Sequence, residues 1–119
     1  MPNSNKLQKY MELLEILQQA KPKQRKQIIE ASNNDFIKLL CECCLNILYG
    51  PMQITPEQKR KLKKYAPIMR QIASKKQPNK SLAKKRELIL QNGGFLPALL
   101  APIISLAGGL IGELVGRHL

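Results

Sequence analysis

The sequence has few aromatic side chains and almost no histidine. It contains no Trp, two Phe, three Tyr and a single histidine, His118, among 119 residues. Proteins that bind single-stranded nucleic acid or RNA stack bases on aromatic side chains, and such platforms are too few here. Histidine is also the commonest acid–base catalyst, and no Gly-rich phosphate loop follows a predicted strand. We therefore expect no enzymatic activity, and double-stranded DNA rather than single strands as a nucleic-acid partner.

Cysteine is scarce as well, with only Cys41, Cys43 and Cys44. An odd number of cysteines within four residues, with no well-placed histidine, argues against both a disulfide framework and a zinc site. We expect reduced core thiols in an intracellular compartment, and no metal or cofactor. The first ten residues lack the apolar core of a secretory signal peptide.

Acidic residues are outnumbered. Eight Asp and Glu stand against 20 Lys and Arg, which gives a formal net charge of +12. Residues 1–50 hold seven basic and five acidic side chains, residues 51–92 hold twelve and two, and residues 93–119 hold one of each. This balance indicates a polyanionic partner, either nucleic acid or an anionic membrane surface. We divide the chain into an N-terminal helical module (1–50), a basic arm (51–92) and an apolar tail (93–119).

The N-terminal module is predicted to be helical. Its first segment has apolar residues at three- and four-residue intervals, and its second has Pro22 in the first turn. The third segment is apolar on every side except one narrow stripe, and Asn33 or Asn34 caps it, so we expect it to be the central helix. The predicted fold is all-α, a small helical bundle followed by basic helices and an apolar tail containing Gly and Pro. The three segments are 5–19, 22–32 and 34–48.

The basic arm opens with a strong helix-start signal. Thr55 is a good N-cap, Pro56 fits the first helical position, and Gln58 completes a Thr-x-x-Gln capping box. The apolar stripe continues past Pro67, so the helix either kinks there or restarts with Pro67 in the first turn of a new segment. A further basic helix is predicted to begin after Ser81, which caps it.

Two cationic clusters on these helices predict phosphate binding. Lysine outnumbers arginine fifteen to five, and lysine is a point charge rather than a fork that reads guanine, so binding should not depend on DNA sequence. A merely solvated charged surface is the alternative. Residues 59–64 also match the weak pattern of a nuclear localisation signal. The predicted phosphate contacts are Lys59, Arg60, Lys61, Lys63, Lys64, Lys84, Lys85 and Arg86.

The tail contains a long uncharged stretch. The 21 residues from Asn92 to Gly112 carry no charge, and as a straight helix they would reach about 30 Å, the thickness of a bilayer core. Pro97, Pro102 and five glycines leave roughly 103–107 as the longest unbroken helical run, which argues against a span. A membrane-active segment, docking onto a protein partner or the chain's own oligomer, a true span and packing on the bundle remain open. The residues predicted to contact a membrane or partner are Phe95, Leu96, Leu99, Leu100, Ile103 and Ile104.

The order of several blocks resembles a known family. AKPKQRKQIIE, LCECCLNILYG, ITPEQKRKLKKY, KKREL and QNGGFLPALLAPIIS follow one another as in a small basic protein of Maverick/Polinton elements and adintoviruses, which is compared with the adenovirus core protein X or mu. The resemblance covers residues 21 to about 105. It implies a virion component that condenses the double-stranded genome, located in the virion and the host nucleus. The chain differs from the adenovirus peptide in being longer, richer in lysine and equipped with a helical N-terminal module.

The expected function is sequence-independent binding and condensation of double-stranded DNA by a virion core protein with a membrane- or capsid-interacting tail. Two alternatives stay open, a membrane-lytic entry factor whose basic arm binds anionic lipid and a host-domesticated DNA-binding regulator. Candidate partners are double-stranded DNA, anionic membrane, capsid proteins and further copies of the chain. The resemblance also implies processing by an adenovirus-type protease after Leu106-Ala107-Gly108-Gly109, between Gly109 and Leu110.

Overall fold

A computed structural model describes residues 4–50, 54–73 and 82–105. Within these ranges the chain is helical and contains no strand, which confirms the all-α prediction. Ser81 and the predicted processing site at Gly108 and Gly109 lie outside the described residues. The helices are α1 (Ser4–Gln19), α2 (Pro22–Ala31), α3 (Asn34–Tyr49), α4 (Pro56–Lys63), α5 (Ala66–Ala73), α6 (Leu82–Gln91) and α7 (96–105), with a 3-10 turn at Gly93–Phe95 before α7.

Local caps set both ends of α3. Asn33 is the N-cap rather than Asn34, and its Oδ1 accepts a hydrogen bond from the Phe36 N–H at 2.9 Å. At the other end Gly50 donates its N–H to the Asn46 carbonyl at 2.9 Å. A Cβ on Gly50 would lie 2.6 Å from that carbonyl oxygen, so the close approach of the two backbone segments requires glycine.

The start of α4 is fixed by the predicted capping box. The Gln58 N–H donates to Thr55 Oγ1 at 3.1 Å, and the Thr55 N–H donates to Gln58 Oε1 at 3.0 Å. Two donors that the helix would leave without partners are thereby satisfied. Pro67 is the second residue of α5, so the chain restarts a helix there instead of kinking.

The central helix is α3, as predicted. It packs against α1, α5 and α6, because apolar residues surround it on all sides except the stripe that contains Lys38 and Glu42. The ring of Phe36 meets that of Tyr10 edge-on, with centroids 5.4 Å apart. Its buried residues are Phe36, Ile37, Leu39, Leu40, Cys43 and Cys44.

One hydrophobic core joins all three predicted segments of the chain. Leu14 of α1, Met69 of α5 and Leu100 of α7 are each fully buried in the same cluster. The boundaries at residues 50 and 92 therefore mark changes of charge and hydropathy, and within the described residues they do not separate independent packing units.

Residues 96–105 form one continuous helix, which corrects the prediction that two prolines restrict the helical run to about 103–107. Pro97 is the second residue of α7, where its missing N–H costs nothing. Pro102 lies inside the helix and removes one backbone hydrogen bond. Burial of its neighbours Leu99, Leu100 and Ile103 offsets that loss, since each such side chain contributes about 1.5–3 kcal/mol.

No single helix among the described residues has the length and hydropathy to cross a membrane. Only α6 and residues 93–105 taken together reach that length and composition within the described chain, and they are bent by 77° relative to each other.

Candidate nucleic-acid interface

The first cationic cluster projects from α4 and the turn after it. The buried residue of this helix is Leu62, which attaches it to the core. Because one side of a short helix faces the protein, side chains on the remaining sides extend into solvent. The five predicted phosphate contacts of this segment are all exposed, namely Lys59, Arg60, Lys61, Lys63 and Lys64.

Little within the described residues neutralises these charges. The Lys61 Nζ lies 3.7 Å from Glu57 Oε1, an exposed pair that contributes at most about 1 kcal/mol. Lys64 Nζ lies 5.0 Å from the centroid of the Tyr65 ring. The remaining members, Lys59, Arg60 and Lys63, form no ion pair with the described part of the chain.

Tyr65 attaches this region to the C-terminal helices. Its ring lies 6.5 Å from that of Phe95, centroid to centroid, and Phe95 is fully buried. The junction of α4 and α5 is therefore held by an aromatic contact as well as by Leu62.

The second cluster, on α6, is organised differently, and Arg86 requires a correction. Its Nη1 donates to the carbonyl of Ile29 at 2.6 Å and to that of Ser32 at 2.8 Å, while Nη2 donates to Asn34 Oδ1 at 3.2 Å. Those carbonyls belong to the C-terminal end of α2, where backbone acceptors lack helical partners. Arg86 thus caps α2 and joins it to the start of α3, and both of its terminal nitrogens are engaged in these contacts.

The two lysines of the same cluster are less accessible than those of α4 as a group. Lys84 is exposed, and Lys85 is half-buried. The charge of Lys85 also acts on the Cys41 thiol of α3. The structure consequently leaves seven of the eight predicted contacts on the surface or at its edge, five of them in and next to α4.

Arg25 has a structural role that the sequence did not indicate. Its Nη1 donates to the Gly93 carbonyl at 3.1 Å and ties α2 to the 3-10 turn. The sequence carries no local sign of this contact, because the partners are 68 residues apart. Arg70 was also missed as a surface cation, although it lies in the basic arm and is exposed on α5.

The apolar tail residues also require a correction. Five of the six side chains predicted to contact a membrane or partner are in the core, at most 1 % exposed. The sixth, Ile104, is partly buried against the same core. In this structure the six side chains pack on the bundle, and only Ile104 is partly exposed. The five core residues are Phe95, Leu96, Leu99, Leu100 and Ile103.

The cysteines are buried thiols rather than reactive groups. Desolvation by burial raises the pKa of Cys43 and Cys44 well above the ordinary value of 9.0. Burial also raises the pKa of Cys41, although the positive charge of Lys85 opposes that rise. Since the thiolate is the nucleophile, none of the three is activated for chemistry at neutral pH.

The described residues contain no group of three His, Cys, Asp or Glu side chains placed to hold a metal ion. No protein-family model, curated protein or solved structure matches the chain.

Proposed function

We propose that this protein binds double-stranded DNA independently of sequence, through phosphate contacts centred on α4, and that it condenses DNA as a virion core component. The observation that supports DNA binding is the exposed cationic surface of α4, of which Lys59, Arg60 and Lys63 have no ion-pair partner among the described residues. The virion role rests on the family resemblance of residues 21–105 alone.

The chemistry of the surface favours phosphate over base recognition. Lysine ammonium groups neutralise phosphates without reading base edges, and binding then gains free energy from released counterions. With Arg86 engaged in capping α2, about seven phosphate contacts remain, so log K should fall with log salt at a slope near −6. Affinity should drop by nearly 10⁴ between about 50 and 200 mM salt.

The test is fluorescence anisotropy with two unrelated short duplexes over that salt range. A variant with all five α4 cations replaced by alanine should lose about 4.5 from the slope and bind far more weakly. The matched control carries alanine at five exposed lysines of residues 1–50 and has the same net charge, so it should keep most of the slope. The control positions are Lys9, Lys21, Lys23, Lys26 and Lys38.

Equal losses in the two variants would mean that net charge alone drives binding and would contradict an interface on α4. A strong preference for one duplex, or binding that is indifferent to salt, would contradict the proposed mode. Condensation itself is read out by light scattering with long duplex DNA, where the α4 variant should require a higher protein concentration than the control.

A further inference from the structure

Two apolar surfaces remain exposed on the described residues. The large exposed hydrophobic side chains are Ile16, 57 % exposed on α1, and Tyr49, 69 % exposed at the end of α3. A groove of about 510 Å³ lies beside α4 and is lined by Ile47 and Leu48 but not by Tyr49. Ile16 and this groove are two places where apolar area of the described chain is left to be covered.

The groove beside α4, the α4 groove, is apolar along its floor and cationic along its rim. Lys59, Arg60 and Lys63 form the rim, and no acidic side chain lines the groove. Lys61 and Lys64 border a different cleft on the other side of α4, so the two sides of this helix are separate surfaces. The floor consists of Ile47, Leu48, Ile54, Leu62 and Met69.

The surface around Ile16, the α1 patch, has the opposite charge. Glu12 and Glu15 are exposed, and Glu12 neighbours both Ile16 and Glu15 because residues three and four apart are neighbours on a helix. The exposed Lys9 lies three residues before Glu12 by the same rule, so one positive and two negative charges leave the patch with a net charge of −1. Neither glutamate forms an ion pair within the described residues. In a chain with 20 basic and eight acidic residues, this patch joins an exposed aliphatic side chain to two exposed carboxylates.

We propose that the α1 patch of one copy docks into the α4 groove of a second copy. Ile16 covers part of the apolar floor, and Glu12 and Glu15 lie against the cations of the rim, a helix-in-groove contact. The contact is head-to-tail, since each copy uses two different surfaces and keeps one of each for another neighbour. Unless the rotation closes a ring, such contacts generate open chains of copies.

The contact between copies is weak. Its role on DNA, described next, rests on the proposed DNA-binding function. A patch with one large apolar side chain buries little area, and two copies that each carry +12 repel each other. DNA phosphates offset that repulsion and hold neighbouring copies at a high local concentration, so the contact makes coating of long DNA cooperative. On long DNA the rim cations then face the neighbouring copy, and Lys61 and Lys64 border the cleft on the other side of α4 and stay available to phosphate. The salt slope for seven contacts therefore applies to a short duplex that holds one copy.

The first experiment exchanges charges and omits DNA. Sedimentation velocity at about 0.15 M salt, where the Debye length is about 8 Å, compares wild type with two double variants. Glu12→Lys/Glu15→Lys makes the α1 patch basic, and Lys59→Glu/Lys63→Glu makes the rim acidic. Wild type should sediment faster as concentration rises, without a plateau at dimer. Each variant alone should stay monomeric, and the mixture should associate again because both patch–groove pairs are then complementary.

Net charge cannot account for that rescue. The formal charge rises by four to +16 in the first variant and falls by four to +8 in the second, so the mixed partners still repel at long range. A mixture that sediments as the sum of its two folded components would overturn the proposal. A wild-type protein that stays monomeric would also overturn the proposal. This holds even if an acidic amphipathic peptide of another protein binds the α4 groove.

The second experiment tests the head-to-tail geometry with one defect on each surface. Ile16→Gln removes the exposed side chain of the patch, and Ala66→Trp fills the groove, which Ala66 lines, without deleting a core contact. Each variant alone should be monomeric. Their equimolar mixture retains one intact patch and one intact groove, so it should form a 1:1 complex and nothing larger. Circular dichroism checks that both variants fold, and a mixture that remains monomeric would count against the inference.

DNA of two lengths separates this inference from DNA binding itself. On a duplex too short for two copies, wild type and Ile16→Gln should bind equally, because Ile16 is uncharged and lies on α1 rather than on α4. On a long duplex the affinity per site of wild type should be at least about tenfold tighter than that of Ile16→Gln. Binding of the α4 alanine variant to the short duplex tests only the proposed DNA-binding function. Equal affinities of wild type and Ile16→Gln on long DNA would overturn the cooperative contact.

Discussion

The two cationic clusters of the basic arm look alike in sequence and differ in the structure. In the first, Arg60 lies on an exposed helix with no ion-pair partner among the described residues. In the second, Arg86 donates to two carbonyls at the end of α2 and to Asn34 at the start of α3. Arg60 is thus an exposed charge without an ion-pair partner in the described residues, whereas Arg86 holds two helices together through hydrogen bonds.

The difference arises from what each helix packs against. The α4 helix is attached through Leu62 and lies at the edge of the bundle, so its cations extend into solvent. By contrast, α6 lies against α2, α3 and α5, and Arg86 meets the carbonyls of Ile29 and Ser32 at the end of α2. A run of basic residues thus becomes a ligand surface only where no unsatisfied acceptor of the fold lies within reach.

The largest effect is expected from a charge placed in α7, whose burial distinguishes the C-terminal region from α4. Leu100 is fully buried, so Leu100→Asp should cost about 5 kcal/mol of unfolding free energy or abolish folding. Ser105→Asp, at an exposed position of the same helix, should change stability by no more than about 0.5 kcal/mol. Urea denaturation followed by circular dichroism measures both. A folded Leu100→Asp protein with wild-type stability would contradict the burial of α7 in the core and would indicate that the tail is independent of the bundle.

The two arginines can be compared directly. Arg86→Ala should lower the unfolding free energy by about 2–3 kcal/mol, because charge-assisted hydrogen bonds to partly buried carbonyls are lost. The salt slope of DNA binding by the folded fraction should not change. Arg60→Ala should leave stability within about 0.5 kcal/mol of wild type and reduce the slope by about 0.9. The comparison fails if Arg86→Ala also reduces the slope.

Alkaline pH should reveal the buried thiols of α3. Because burial raises the pKa of Cys43 and Cys44 above the unfolded value of 9.0, the unfolded chain loses these protons first as pH rises. Stability is then fully present below about pH 9 and declines above it, by about 1.4 kcal/mol per thiol per pH unit. Cys43→Ala should flatten the decline more than Cys41→Ala, since the Cys41 thiol is only partly buried and lies near Lys85. Equal flattening would contradict the weaker desolvation of Cys41 and the opposing charge of Lys85.

The smallest effect concerns the local cap that starts α4. Thr55→Ala removes the acceptor of the Gln58 N–H and should cost about 1 kcal/mol, whereas Thr55→Ser keeps the hydroxyl and should cost less. Urea denaturation measures the difference between the two variants. The DNA salt slope of each folded variant should equal that of wild type, because the lysines themselves are intact. A changed slope in Thr55→Ala would show that the orientation of α4 matters to binding.

Much of the local structure could be predicted from sequence because its causes are local. The capping box of Thr55 and Gln58, the cap at Asn33 and the Pro67 restart each depend on residues within a few positions of one another. The apolar residues on nearly every side of α3 likewise predicted that it is the central helix of the bundle. The continuity of α7 across Pro102 could not be predicted, since the lost hydrogen bond is offset by burial against helices far away in sequence.

For the candidate site, the charge, its concentration in residues 51–92 and the helical spacing that exposes the α4 cations follow from the sequence alone. Which cations are free depends on tertiary contacts, because Arg86 and Arg25 donate to backbone carbonyls 54 or more residues away. The tertiary structure also decided the place of the apolar tail. By composition, a stretch of uncharged residues is equally compatible with a membrane, a partner or a core, and here the hydrophobic core shared with the other helices buries it.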